Sequence, residues 1–345
     1  MEKSIDFCFF ICLDTNCIEP NISYFSRYNG FGALIIPKKS KPFLLVPEME
    51  LERAKKNRIK VYAMRKKKLF EILTKKLKKN RIKAKTIGID YGNISVSLFK
   101  ALRKNFKKSK TININDLLAE HRKIKTNEEI GYIKKACRAS DEILKKCFKN
   151  FKKLKTEKAV ANFLENETKK RGLELAFPTI VASGSSASMP HYEPQNIKLK
   201  KGFCIIDFGV KYKGYCSDTT RTVYIGNPSK KELEFYEFIL QKQEDAIKNI
   251  ALNHTGSKIY NKLRDSLEKY EKFFNHGLGH GVGIKVHELP NITDKSKDRI
   301  ENNMVFTIEP GVYFKNNSGI RIEDTILFKN KAISLTKISK NLLRV

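Results

Sequence analysis

Phe203-Cys204-Ile205-Ile206-Asp207-Phe208-Gly209 is an apolar run with one carboxylate set inside it. The apolar residues read as a buried strand. An ionised carboxylate in such a strand costs several kcal/mol unless it is paired or binds a metal. The same oddity recurs further along the chain. Asp218 follows Tyr215-Cys216-Ser217 and precedes Thr219-Thr220-Arg221-Thr222. Glu309 sits in Val305-Phe306-Thr307-Ile308-Glu309-Pro310-Gly311, and Glu323 in Ile320-Arg321-Ile322-Glu323-Asp324-Thr325-Ile326. One such residue is ordinarily a salt bridge. Arg221 and Arg321 cannot neutralise four.

His280 supplies a fifth donor, in Gly277-Leu278-Gly279-His280-Gly281-Val282-Gly283. Alternating glycines let backbones approach closely around the imidazole. A GxGxxG-like reading of this run is excluded, because no strand–turn–helix context surrounds it. Four carboxylates and one imidazole form a hard-to-borderline ligand set, suited to Mn, Co, Fe or Zn. Two divalent cations balance the four negative charges. In such a pair, a bridging water loses its proton near neutral pH and attacks a carbonyl.

Outward from these runs, the pattern predicts two domains, residues 1–120 and 121–345. In the second, Thr126-Asn127-Glu128-Glu129 has the form of a capping box. It opens a long helix with Ile130, Ile133, Ala136 and Cys137 at helical spacing. Further helices are expected over 157–171, from the capping box at Ser229 onward, and over 258–272. Apolar runs at 203–210, 219–225, 304–308 and 319–328 predict strands. Helices followed by hairpin-like strands indicate an α+β domain. In the first domain, strands are expected at 7–13, 32–37, 42–46 and 86–90, and helices at 49–56, 66–79 and 95–105. That is a smaller α/β module.

Composition bounds the rest. The chain has 345 residues, 41% hydrophobic and 31% charged, which is globular and too apolar for disorder. No apolar run approaches the roughly 18 residues of a membrane-spanning helix. The start of the chain reads as a first strand and not a signal peptide. Net charge is +32, half of it in residues 1–120. The excess follows Lys more than Arg, so it reads as solvated helix faces, as at Arg65-Lys66-Lys67-Lys68, and not as a nucleic-acid surface. The seven cysteines form no CxxC pair. They read as small buried hydrophobes with reduced thiols, in a cytoplasmic protein.

The order Asp207, Asp218, His280, Glu309, Glu323, within IIDFG, SDTTRT, GHGVG, TIEPG and RIEDT, resembles the pita-bread metallopeptidases. Their members include Xaa-Pro dipeptidase, Xaa-Pro aminopeptidase, methionine aminopeptidase and creatinase. The intervals of 11, 62, 29 and 14 residues fit the family layout, and the match covers essentially the whole chain. Tyr24-Phe25-Ser26-Arg27-Tyr28-Asn29-Gly30-Phe31 looks like the family's N-terminal domain motif. The resemblance implies an α+β, pita-bread catalytic domain of two pseudo-symmetric halves behind a smaller α/β, creatinase-like N-terminal domain. It implies two metal ions, Mn or Co before Fe or Zn. Asp207, Asp218, His280, Glu309 and Glu323 would be the ligands, with Asp218 and Glu323 bridging.

By the same resemblance, Glu309 would shuttle the proton, and His191 and His287 would hydrogen-bond the scissile carbonyl. His276 and Arg321 would contact substrate. Arg321 resembles the arginine of the Xaa-Pro enzymes, and i, i+2 spacing on a strand would turn it to the same face as Glu323. The implied activity is hydrolysis of the bond before proline in small peptides, by a homodimer. Xaa-Pro dipeptidase is favoured over Xaa-Pro aminopeptidase. Some dipeptidases carry a basic residue where this chain has Asn291. Rival readings are a methionine aminopeptidase, a non-catalytic nucleic-acid- or ribosome-binding relative, and a metal-free creatinase-like hydrolase.

Overall fold

The computed structural model describes residues 4–13, 19–57, 59–64 and 69–345. Cys17 and the Arg65–Lys68 cluster lie outside the described residues, as does the start of the helix expected over 66–79. The chain divides into two compact units, Met1–Ala119 and Glu120–Val345.

The first unit holds β1 (Phe7–Cys12), β2 (Gly32–Pro37), β3 (Phe43–Pro47), β4 (Lys60–Met64), β5 (Thr86–Ile89) and β6 (Lys110–Asn113). They form one six-stranded sheet in the order β4-β3-β2-β1-β5-β6. β1 pairs antiparallel with β2 and parallel with β5. Successive residues of a strand face opposite sides. Phe7, Phe9 and Ile11 enter one core and Phe10 and Cys12 another, so both sheet faces are covered. The helices are α1 (Pro20–Ser26), α2 (Leu51–Lys55), α3 (Leu69–Lys79), α4 (Val96–Asn105) and α5 (Asn115–Lys123), the last running past the division between units. α3 shows why its lysines are tolerated. Leu69, Leu73 and Leu77 are buried along one face, while Lys75 pairs with Glu71 at 2.8 Å in solvent.

In the second unit, α6 (Asn127–Asn150) begins at the expected capping box, with Thr126 and Glu129 satisfying each other's backbone N–H groups. α7 (Glu157–Lys170) packs beside it. The strands that follow are β7 (Glu174–Leu175), β8 (Ile180–Ser183), β9 (Gly202–Phe208), β10 (Val210–Tyr212), β11 (Tyr215–Cys216) and β12 (Thr219–Ile225). β9 lies between β8 and β12, antiparallel to both. A second helix pair, α8 (Lys230–Lys248) and α9 (Gly256–Ser266), precedes the remaining strands. These are β13 (Gly279–Gly281), β14 (Glu288–Ile292), β15 (Val305–Ile308), β16 (Gly311–Phe314), β17 (Ser318–Arg321), β18 (Asp324–Lys329) and β19 (Lys331–Ser334). Five of them form an antiparallel sheet in the order β14-β13-β15-β18-β19, and β16 and β17 form a hairpin. None of the described helices is long and apolar enough to cross a membrane.

Two expectations are corrected. The helix expected over 258–272 ends at Ser266, because Glu268 takes a φ of +54° and 3-10 geometry follows. The strand expected over 319–328 is two strands in different sheets, broken at Ile322 and Glu323. The described cysteines are free, and all but the partly exposed Cys8 are buried.

Arg221 on β12 does not serve the four suspect carboxylates. It binds Asp324 of β18 at 2.7 Å, and its guanidinium also donates to the Ile338 carbonyl at 2.8 Å. Both side chains of that pair are nearly inaccessible to solvent. Breaking a buried pair by deleting one partner leaves an uncompensated charge. Arg221→Met is therefore expected to lower unfolding free energy by about 3–5 kcal/mol, read from urea denaturation. A loss below about 1 kcal/mol would show that Lys340, 3.4 Å from Asp324, takes over the pairing.

Candidate active site

The polar strand ends of the second unit meet at a cavity of about 700 Å³. Asp207, Asp218, His280, Glu309 and Glu323 all line it, as do His191, His276, His287 and Arg321. The residues singled out in the sequence are thus all brought together. His121 and His254 do not line it.

Local structure explains each placement. Asp207 stands on β9 opposite Thr220 of β12. Asp218 lies just before β12, and His280 is the centre of β13. β13 runs between β14 and β15, and a side chain at Gly279 would overlap the Thr307 carbonyl of β15. The alternating glycines therefore serve the close approach of three strands around His280. Glu309 leaves the end of β15, its N–H donating to the Leu278 carbonyl at 2.9 Å. Glu323 sits in the break between β17 and β18, its N–H donating to the Thr220 carbonyl at 3.1 Å. Arg321 and Glu323 share the cavity as expected. The break, and not strand alternation alone, produces this.

Ligand atoms of Asp218, His280 and Glu323 lie within 4.8 Å of one another. His280 Nε2 is 3.6 Å from Asp218 Oδ2 and 3.4 Å from Glu309 Oε1. Burial lowers the His280 pKa, so its ring is neutral. These approaches are therefore not ion pairs; an electron-pair donor faces carboxylate oxygens around a common point. Burial, and then the charges of Glu323, Asp207 and Glu309, push the Asp218 carboxyl well above its ordinary value. Burial, then Glu309 and Asp207, do the same to Glu323. Burial also raises Glu309. Asp207 Oδ1 is buried and has no hydrogen-bond partner, while its Oδ2 takes Arg321 Nη2 at 2.7 Å. A crowded, under-compensated oxygen set with a neutral imidazole is what divalent cations satisfy.

Sequence reasoning missed the residues that hold these donors. Tyr313 is buried, and its hydroxyl links Arg321 Nη1 at 2.8 Å to His276 Nε2 at 3.0 Å. Thr220 donates to Glu323 at 2.7 Å and accepts from Arg321 Nε at 3.1 Å. Thr307 donates to Glu309 at 3.2 Å. Threonine two places after Asp218, or two before Glu309, was the available signal. His276 is kept neutral by burial, and His287 falls to about 4 through burial and the neighbouring His280 and His191.

Comparison with known proteins matches residues 131–330 to metallopeptidase family M24 and residues 5–124 to the creatinase/prolidase N-terminal domain. The chain belongs to metallopeptidase family M24. Its fold is the family's pita-bread catalytic domain behind a creatinase-like α/β domain. It is 35% identical to a Xaa-Pro dipeptidase of Pyrococcus furiosus, across 99% of both chains. The X-Pro aminopeptidase of Thermotoga maritima superposes with a TM-score of 0.92 at 32% identity, covering 99% of this chain and 98% of that one. The prolidase of Pyrococcus horikoshii superposes at 0.88, also 32% identical, covering 98% and 96%. As an M24 metallopeptidase, the protein is a divalent-metal enzyme.

The raised carboxyls give a pH test. Asp218 and Glu323 hold protons in the folded, metal-stripped protein that the unfolded chain releases. Their contribution to stability is full below the unfolded pKa of about 4 and is lost as pH rises through the folded values. The three lowered histidines oppose this only below about pH 6.5. Above about pH 6.5, where the histidines no longer oppose it, chelated protein is thus expected to melt at progressively lower temperature as pH rises through the folded values of these two carboxyls. Added Mn should flatten or reverse that slope, because metal binding expels the protons. A chelated profile flat across this range would contradict the crowding of charge.

Proposed function

We propose that this M24 enzyme hydrolyses the peptide bond before proline in small peptides, as a Xaa-Pro dipeptidase. The observation that carries the reading is the convergence of Asp218, His280 and Glu323 in one cavity with His191 and His287. The full-length likeness to Xaa-Pro dipeptidases supports the substrate. Asp207, Asp218, His280, Glu309 and Glu323 would hold two metal ions, with Mn or Co best suited and Fe or Zn also compatible with these donors. When bound, such a pair supplies Lewis-acid activation of the attacking water and the scissile carbonyl.

The chain's own groups do the remaining work. Glu309 takes the proton of the attacking water and gives it to the leaving proline nitrogen. A carboxylate beside the attacking water can accept that proton and donate it onward. His191 and His287 line the cavity and donate ring N–H groups to the scissile carbonyl as charge grows on its oxygen. The neutral state of His287 leaves one nitrogen to donate and one to accept. His276 and Arg321, joined through Tyr313, bind and orient the substrate. On this reading residues 1–120 and 121–345 are the two domains, and the enzyme works as a cytoplasmic homodimer. Buried, free thiols among the described cysteines support the cytoplasm.

A second reading, Xaa-Pro aminopeptidase, is supported by the likeness to the Thermotoga maritima enzyme. It is supported too by Asn291, an uncharged residue lining the cavity. The two readings separate when protein reloaded with Mn or Co is given Xaa-Pro dipeptides beside Xaa-Pro-Yaa tripeptides. Proline release from dipeptides is expected. Cleavage of the tripeptides alone would select the second reading, and removal of N-terminal Met alone would reject both. Glu309→Gln is expected to lower kcat by about 10²–10⁴ while leaving the fold intact. His287→Ala should lower it by about 10²–10³.

A further inference from the structure

Glu288 is a buried carboxylate beside the site that no step above uses. It accepts a hydrogen bond from Arg122 Nε at 3.0 Å and lies 3.5 Å from Lys125 Nζ. The backbone N–H of Lys285 donates to it at 3.2 Å. Arg122 is on α5, and Lys125 directly precedes the cap of α6. The Lys125 ammonium is buried, with its own backbone N–H donating to the Asn303 carbonyl at 3.0 Å. Buried ion clusters are a poor source of net stability, since apolar replacements often hold a fold as well. What a hydrogen-bonded cluster adds is fixed geometry.

The geometry fixed here is that of residues 283–288. A Cβ on Gly283 would overlap Glu288 Oε2, so the carboxylate lies directly against the backbone of this turn. From the other side, Cys216 N–H donates to the Gly283 carbonyl at 2.8 Å. The turn brings Val286 and His287 to the cavity. The His280 Nδ1 lies 3.2 Å from the Gly281 carbonyl. The rings of His280 and His287 meet edge to face at 4.2 Å. The turn thus carries the His287 ring, which packs against the His280 ring.

We propose that Arg122, Lys125 and Glu288 form a positioning clamp that holds the 283–288 turn and, through it, the His280 and His287 rings in working orientation. The clamp rests on the roles given to those histidines above. None of its three residues lines the cavity. A ring held by a mobile turn would sample other orientations, and losing such supporting contacts typically costs 10–100-fold in metal affinity or activity.

The test is hydrogen exchange of the whole metal-loaded protein, read by mass spectrometry alongside steady-state kinetics. In Glu288→Gln, exchange in 283–288 should quicken by about tenfold or more, while β9 and β12 exchange as in the wild type. The value of kcat/KM on Xaa-Pro peptides should fall by about 10–100-fold. Lys125→Met leaves the Arg122–Glu288 bond in place and should show the same pattern, smaller. Unchanged exchange in the turn would overturn the clamp. So would uniform acceleration across the unit, or failure of both variants to fold, since the cluster would then serve the fold at large. Wild-type protein inert on every Xaa-Pro peptide would defeat the functional reading alone, and the exchange pattern would still decide the clamp.

Discussion

Four carboxylates share one cavity, and their mutual repulsion is the constraint around which the second unit is organised. Water would screen such charges, but Asp218 and Glu323 have almost no access to it. In a low-dielectric site every uncompensated interaction grows. One arginine answers within the cavity. Arg321 spends its donors on Asp207, Tyr313 and Thr220 and faces the remaining anions only at longer range. The surplus of negative charge is what the cavity offers to divalent cations.

The backbone delivers these groups by ending or breaking strands at the cavity. Ile322, Glu323 and Asp324 show how. Ile322 enters the apolar core, Glu323 turns to the cavity, and Asp324 goes to Arg221. A regular strand offers two directions only. The interruption between β17 and β18 supplies the third.

That break also marks the limit of what the sequence discloses. A carboxylate inside an apolar run is visible in sequence because it violates the cost of burial, so the suspect residues and His280 could be picked out singly. Capping boxes at Thr126 and Ser229 were legible because they are local. β6 was not legible, because Lys110-Thr111-Ile112-Asn113 has no apolar run, and β4 was not, because its short run Val61–Met64 lies between Lys60 and Arg65-Lys66-Lys67-Lys68 in the sequence. Residues 319–328 read as one strand because nothing local reports that partners lie in two sheets. Tyr313, Thr220 and Glu288 escaped notice for a related reason. Each is ordinary in its own segment, and its meaning comes from partners far away in the chain, as with Arg122 and Glu288, 166 residues apart.

Buried anions elsewhere in the second unit show how different the cavity is. Asp324 has Arg221 and Lys340, and Glu288 has Arg122 and Lys125. Asp141 is met by the backbone N–H groups of Lys337 and Ile338, and Glu157 by those of Ser183 and Gln195. Structural carboxylates are thus satisfied where they stand. Asp218, Glu309 and Glu323 meet a neutral imidazole or a threonine hydroxyl instead. With 69 lysines and arginines in the chain, cations are not scarce. Their sparing use beside these carboxylates, with Arg321 held chiefly by Asp207, reserves the charge for ions that can also activate water. A lysine in contact with Glu323 would stabilise the fold and close the site to metal.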